Sequence, residues 1–153
     1  MSRRIRRTAR GHIQVRLSAS DREFLRSLIE VMRELLENPE EGAVARLFPN
    51  PYPDDAQREQ EYRLLAHTEL MESHRAALEV LEASADAERL DDGQANAWIR
   101  ALNEIRLVLG TRLELTDEGI DPPLAFDDPR FPVFAAYDYL TRIQGELVDA
   151  LAG

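Results

Sequence analysis

Ile13, Val15 and Leu17 alternate with His12, Gln14 and Arg16. A period of two puts the aliphatic side chains on one face of an extended strand and the polar ones on the other. Ile5 anchors a second short strand before it, and Thr8-Ala9-Arg10-Gly11 forms the turn between them, because Gly11 tolerates the positive φ of a tight reversal. This predicts a β-hairpin over residues 1–17. Two strands alone are marginally stable in water, so the hairpin has to lean on other elements.

Beyond residue 20 the period lengthens. Ser20-Asp21-Arg22-Glu23 has the form of a capping box, in which the first and fourth residues exchange hydrogen bonds at a helix start. Phe24, Leu25, Leu28, Ile29, Met32, Leu35 and Leu36 then fall on one helical stripe, which Asn38-Pro39 ends. A short helix is predicted from Ala43 to Phe48, after which the run PNPYP redirects the chain.

From Asp54, a capping residue, a long helical pattern reaches Ala83. Its apolar face starts at Tyr62, Leu65 and Ala66 and drifts to Met71, His74, Leu78 and Leu81. Such drift predicts a kink near Glu72 to Arg75, or a helix packed on two sides. A polar loop is expected around Asp91-Asp92-Gly93, followed by a central helix from Gln94 to Leu115 in which Trp98, Leu102, Ile105, Leu109 and Leu113 recur three and four apart, widened by Ile99 and Val108. Gly110 within it costs about 1 kcal/mol against alanine and points to close helix packing. Residues 117–132 are too rich in proline for a regular helix, and a last helix is predicted from Val133 to Leu151. The fold class is mainly α: a helical bundle of about five helices with a short N-terminal β-hairpin. It is expected to form one domain over residues 1–153, with the hairpin at 1–17 and the bundle at 20–153.

Composition narrows the chemistry. With 44% hydrophobic and 31% charged residues in 153, the chain has enough apolar material for a core, which argues against wholesale disorder. It contains no cysteine, so disulfides, thiolate zinc sites and thiol redox switching within these residues are excluded. No apolar run of about 18 residues occurs, and the basic N-terminus is not followed by a hydrophobic stretch; no membrane partner and a cytoplasmic location are expected. All 19 basic residues are arginine, a bias consistent with a GC-rich bacterial genome. Charge is uneven: residues 1–16 carry Arg3, Arg4, Arg6, Arg7, Arg10 and Arg16 with no acid, whereas the rest is strongly acidic and the total is −10. A basic arm on an acidic body contacts polyanions locally and repels them farther out.

Catalytic and cofactor signals are weak. His67 and His74 stand seven apart without a third close ligand, unlike a zinc helix. There is no nucleophile elbow, phosphate loop or dinucleotide fingerprint, so neither catalytic residues nor a metal or other cofactor is expected. Asn103, Glu104, Arg106 and Arg112 lie among the apolar positions of the central helix. They read either as a solvated flank with local ion pairs or as a polar docking cluster, since arginine's planar fork suits carboxylates. The six arm arginines are candidate contacts for DNA phosphates or an acidic protein surface. A helix-turn-helix is not apparent, because the helices around the Asp91 loop are neither closely joined nor basic.

The capped first helix, ARLFPNPY followed by EYRLL, AWIRALNEIRLVLGTRLEL and the terminal YDYLTRIQGELVDAL together resemble the actinobacterial domain of unknown function 2017 family. The WxxALNxxRLxLGTRL core is the most specific part, and the similarity spans almost the whole chain. The resemblance implies a non-catalytic regulator of transcription or of the oxidative-stress response, acting with an alternative sigma factor. It also implies a gene encoded near that of the Clp protease adaptor, so an adaptor or scaffold in regulated proteolysis is the alternative. An enzyme with a deep pocket on the Asn103 to Arg112 face is a second alternative. A cysteine redox switch, part of what the resemblance implies, cannot operate in these residues. A homodimer is compatible with the amphipathic stripes, as is an intramolecular bundle.

Overall fold

In the computed structural model the described residues are 3–37, 54–112 and 126–153, without the side chains of residues 59, 62–68 and 112. Four helices and a three-stranded sheet occur among them: β1 (Ile5–Arg7), β2 (Ile13–Val15), α1 (Ala19–Leu36), α2 (Ala56–Ala83), β3 (Arg89–Leu90), α3 (Asp92–Arg112) and α4 (Phe131–Ala152). The fold is mainly helical, as its periodicities require. The segments at 43–48 and 49–53, and the stretch 113–125, lie outside the described residues.

The hairpin forms as its alternation dictates. Ile5 pairs with Val15 and Arg7 with Ile13 in antiparallel register, and Gly11 takes a φ of 90° in the turn. The polar loop predicted near Asp91 is replaced by a third strand, in which Leu90 pairs with Ile13 and Arg89 with Gln14. Leu90 is 1% exposed, and its burial explains the difference: one apolar residue closes the sheet against the core while Asp91 starts the next helix.

Helix starts also shift. At α1 the cap is Ser18, whose Oγ accepts from the Asp21 amide at 3.1 Å, and Ser20 already lies in the first turn. Leu17, 8% exposed, stays with the core, and the chain enters the helix directly after it, two residues ahead of the predicted cap. A capping box does occur, but at α3: the Gln94 amide donates to Asp91 Oδ1 at 2.7 Å and the Asp91 amide to Gln94 Oε1 at 2.9 Å. Asp55, not Asp54, caps α2. Pro132 sits in the first turn of α4, where its missing N–H leaves no helical bond unmade.

α2 runs unbroken through 72–75 and packs on both α1 and α3, so two-sided packing, not a kink, absorbs the drift of its apolar face. α4 packs on α3 and β1. Leu25, Ile29, Met32 and Leu36 of α1, Leu78 and Leu81 of α2, Leu102 and Ile105 of α3, and Leu140, Ile143 and Leu147 of α4 share one contiguous core with the sheet. Trp98, fully buried, donates from Nε1 to Ser84 Oγ at 2.7 Å, and that hydroxyl donates in turn to the Val80 carbonyl. The large ring enters the core with its polar edge satisfied.

Candidate functional site

The six arm arginines divide into two groups. Arg7 follows the parity of Ile5 and turns inward. Its Nε donates to the Ala150 carbonyl at 2.8 Å, Nη1 to the Gly11 carbonyl at 2.7 Å and Nη2 to Asp92 Oδ1 at 3.0 Å. One guanidinium thus joins the hairpin turn, the C-terminal end of α4 and the N-terminal end of α3; the α4 dipole favours the cation, while the α3 dipole favours the Asp92 carboxylate that receives it. Arg3 pairs with Asp149 at 2.6 Å. The Arg4 guanidinium lies 5.6 Å from the centroid of the Tyr139 ring, while the Arg4 and Ile5 amides donate to Glu146 Oε1. These three residues fasten the hairpin to α4.

Arg6, Arg10 and Arg16 are exposed and have no side-chain partner among the described residues. They are the arm positions open to a partner.

The polar set on α3 does not form one cluster. Arg106 donates to Thr141 Oγ1 at 3.0 Å and to Gln144 Oε1 at 2.5 Å, and it stacks 5.0 Å from the Tyr137 centroid. Asn103, which is exposed, receives a longer bond from the same guanidinium. Arg106 therefore belongs to the seam with α4, and Asn103 flanks it from the same helix. Glu104 faces α2 and is 5% exposed, which corrects the solvated-flank reading for this residue. Its Oε1 lies 2.5 Å from His74 Nδ1 and accepts from Arg100 Nε at 3.1 Å. The side chain of Arg112 is outside the described residues.

His74 is 6% exposed. Imidazole and carboxylate are the groups of acid-base catalysis, but a general base has to reach the proton it abstracts. Sealed between α2 and α3, this pair joins two helices. The side chain of His67 lies outside the described residues, and among those described no group of three or more His, Asp or Glu side chains is placed to hold a metal ion. No helix among them is long and apolar enough to cross a membrane.

Two structurally important side chains escaped sequence reasoning. Arg22, read as part of a cap, donates to the carbonyls of Leu17, Ala85, Ala87 and Val15, holding the β2 exit against the loop before β3. No local signal marks it, because its acceptors are backbone atoms brought together only by folding. Tyr139 meets Phe24 edge-on at 5.6 Å, and its hydroxyl has no hydrogen-bond partner among the described residues. Burial, aided by Asp21 and opposed by Arg4, pushes that hydroxyl up to about 12.

Comparison with known proteins places these features in a lineage. The family described as "Domain of unknown function (DUF2017)" matches residues 2–151. A Mycobacterium tuberculosis protein (strain ATCC 25618 / H37Rv) named oxidative stress regulator AosR is 28% identical over 160 residues, covering 94% of this chain and 73% of that protein. The Mycobacterium bovis protein of the same name matches equally. A Mycobacterium leprae (strain TN) protein, named provisionally as that regulator, is 30% identical over 158 residues, covering 92% of this chain and 72% of its own length. No solved structure matches the chain.

Proposed function

The chain belongs to the DUF2017 family, and from that premise we propose that it is a non-catalytic regulator that acts by binding a protein partner, a sigma factor of RNA polymerase. The names carried by its mycobacterial relatives support the regulatory role. The observation that carries the binding role is the state of the arm: Arg3, Arg4 and Arg7 are consumed in holding the hairpin on α4, while Arg6, Arg10 and Arg16 are presented outward on the platform so fixed. A rigidly held arginine loses less freedom on binding than one on a loose tail.

With no cysteine in these residues, an oxidative signal reaches them through the partner and not through a thiol among them. The test is a pull-down from native lysate using the tagged chain. Sigma subunits are expected with the wild type and are lost when Arg6, Arg10 and Arg16 are changed together to glutamate. Recovery of none at low and moderate salt overturns the proposal, and recovery of Clp components instead replaces it with the adaptor reading.

A further inference from the structure

We propose that the outer face of the β1–β2–β3 sheet is a docking surface for an extended, carboxylate-rich segment of a partner protein, held by Arg6, Arg16 and Arg89 with Arg10 at the turn. The biological purpose of this contact rests on the regulatory reading; the contact itself rests on register and charge.

Ile5, Ile13, Val15 and Leu90 point into the core, each no more than 2% exposed. Strand alternation therefore turns Arg6, Gln14 and Arg89 to the opposite face. The register sets them in one row, Arg6 opposite Gln14 and Gln14 opposite Arg89. With strands about 4.8 Å apart, the outer two positions are separated by about 10 Å. Arg16 lies two residues beyond Gln14, on the same face and one row along. It is held there by its amide, which donates to the Arg4 carbonyl at 2.7 Å.

The rest of the molecule shows how unusual this face is. Arg26, Arg33, Arg100 and Arg142 each pair with a carboxylate, and Arg22 and Arg106 are bound by carbonyls and polar side chains. The described arginines without a partner are Arg6, Arg10, Arg16, Arg75 and Arg89, and all but Arg75 belong to this sheet and its turn. The carboxylates near β3 do not neutralise it: Asp86 is taken by Arg26, Asp91 by the Gln94 amide and Asp92 by Arg7. Glu88 alone among these neighbours has no side-chain partner. In a chain of net charge −10, cations left open and grouped are an unfilled half of an ion-pair set.

An acidic polypeptide fits this surface better than nucleic acid. Duplex DNA carries a charge every 1.7 Å or so along a long rod, and beyond the sheet that rod meets a body more negative than the whole chain. A short segment covers only the basic face. If extended, it repeats its same-side residues about every 6.7 Å, the interval between the Gln14 and Arg16 rows, so one carboxylate reaches the row flanked by Arg6 and Arg89 and the next reaches Arg16. Arginine's fork donates two parallel N–H bonds to a carboxylate in a bidentate pair.

The experiment titrates the purified chain, at low salt, with a short peptide alternating glutamate and glycine, read by amide NMR shifts. Its glutamine analogue and a short DNA duplex are run alongside. Shifts are expected on β1, β2 and β3, with binding about tenfold weaker in a folded Arg6→Gln, Arg16→Gln, Arg89→Gln variant and unchanged in Arg75→Gln. Shifts elsewhere, equal binding by the triple variant or the glutamine analogue, or tighter binding of the duplex to this face each overturn the proposal. A triple variant that still recovers a sigma subunit sinks the surface and keeps the regulatory reading. A wild-type chain that binds the peptide but recovers no sigma subunit does the reverse.

Discussion

Tyr139 shows what one side chain gives up to fill space. Its ring packs against Phe24 and under Arg4, yet its hydroxyl meets no acceptor among the described residues, and a buried polar group left unmatched costs about 1–3 kcal/mol. Tyr139→Phe removes the unmatched atom and keeps the ring, so the variant should unfold at the same or a higher urea concentration than the parent. The pH response has a definite sign. The folded hydroxyl is raised to about 12 from an ordinary value near 10, so folding favours the protonated form. Its contribution is complete below pH 10 and is lost as pH climbs from 10 towards 12. That part of the alkaline loss of stability should vanish in Tyr139→Phe, and urea midpoints on either side of the window test it. A clear fall in stability on losing the hydroxyl refutes the assignment.

At the scale of elements, what the chain spells out locally is what it builds. The stripes of α1, α3 and α4 are set by spacings of three and four. Leu25, Ile29, Leu102, Ile105, Leu140 and Leu147 of those stripes are buried. Helix starts were harder to read, because several oxygen-bearing residues stand near each one and only tertiary context chooses among them. Leu17's place in the core selects Ser18 over Ser20, and the closure of the sheet by Leu90 makes Asp91 a cap where a loop was expected. The selection is testable: Asp91→Ala and Ser18→Ala should each cost about 1 kcal/mol, while Ser20→Ala should change stability little. Equal losses at Ser18 and Ser20, measured by urea unfolding, contradict the assignment. β3 was not legible, because two residues carry no period.

At the scale of the whole molecule, the candidate surface was half legible. Six arginines at the N-terminus are visible as a charge run, but their division into fasteners and open cations depends on partners about 85 to 146 residues away. Arg89 joins the face only through a strand pairing that sequence spacing does not show. Glu104 was hidden for the same reason. Four residues from Arg100, it looks like one half of a surface pair, until His74, 30 residues back, buries it. Arg7 carries the largest share of the long-range fastening, so Arg7→Ala should cost about 1.5–3 kcal/mol. It should also speed hydrogen exchange at β1 and the last turn of α4 together; acceleration at one site alone argues against a shared clamp.

The same clamp orders events in time. Residues 3–7 leave the ribosome well before the atoms that receive them, on Glu146, Asp149 and Ala150, which are joined 142 to 146 residues later. During synthesis β1 has no berth until α4 has been joined. A nascent chain stalled before residue 146 lacks the anchors that set the arginine platform on α4, so display of the fixed platform is coupled to translation through α4.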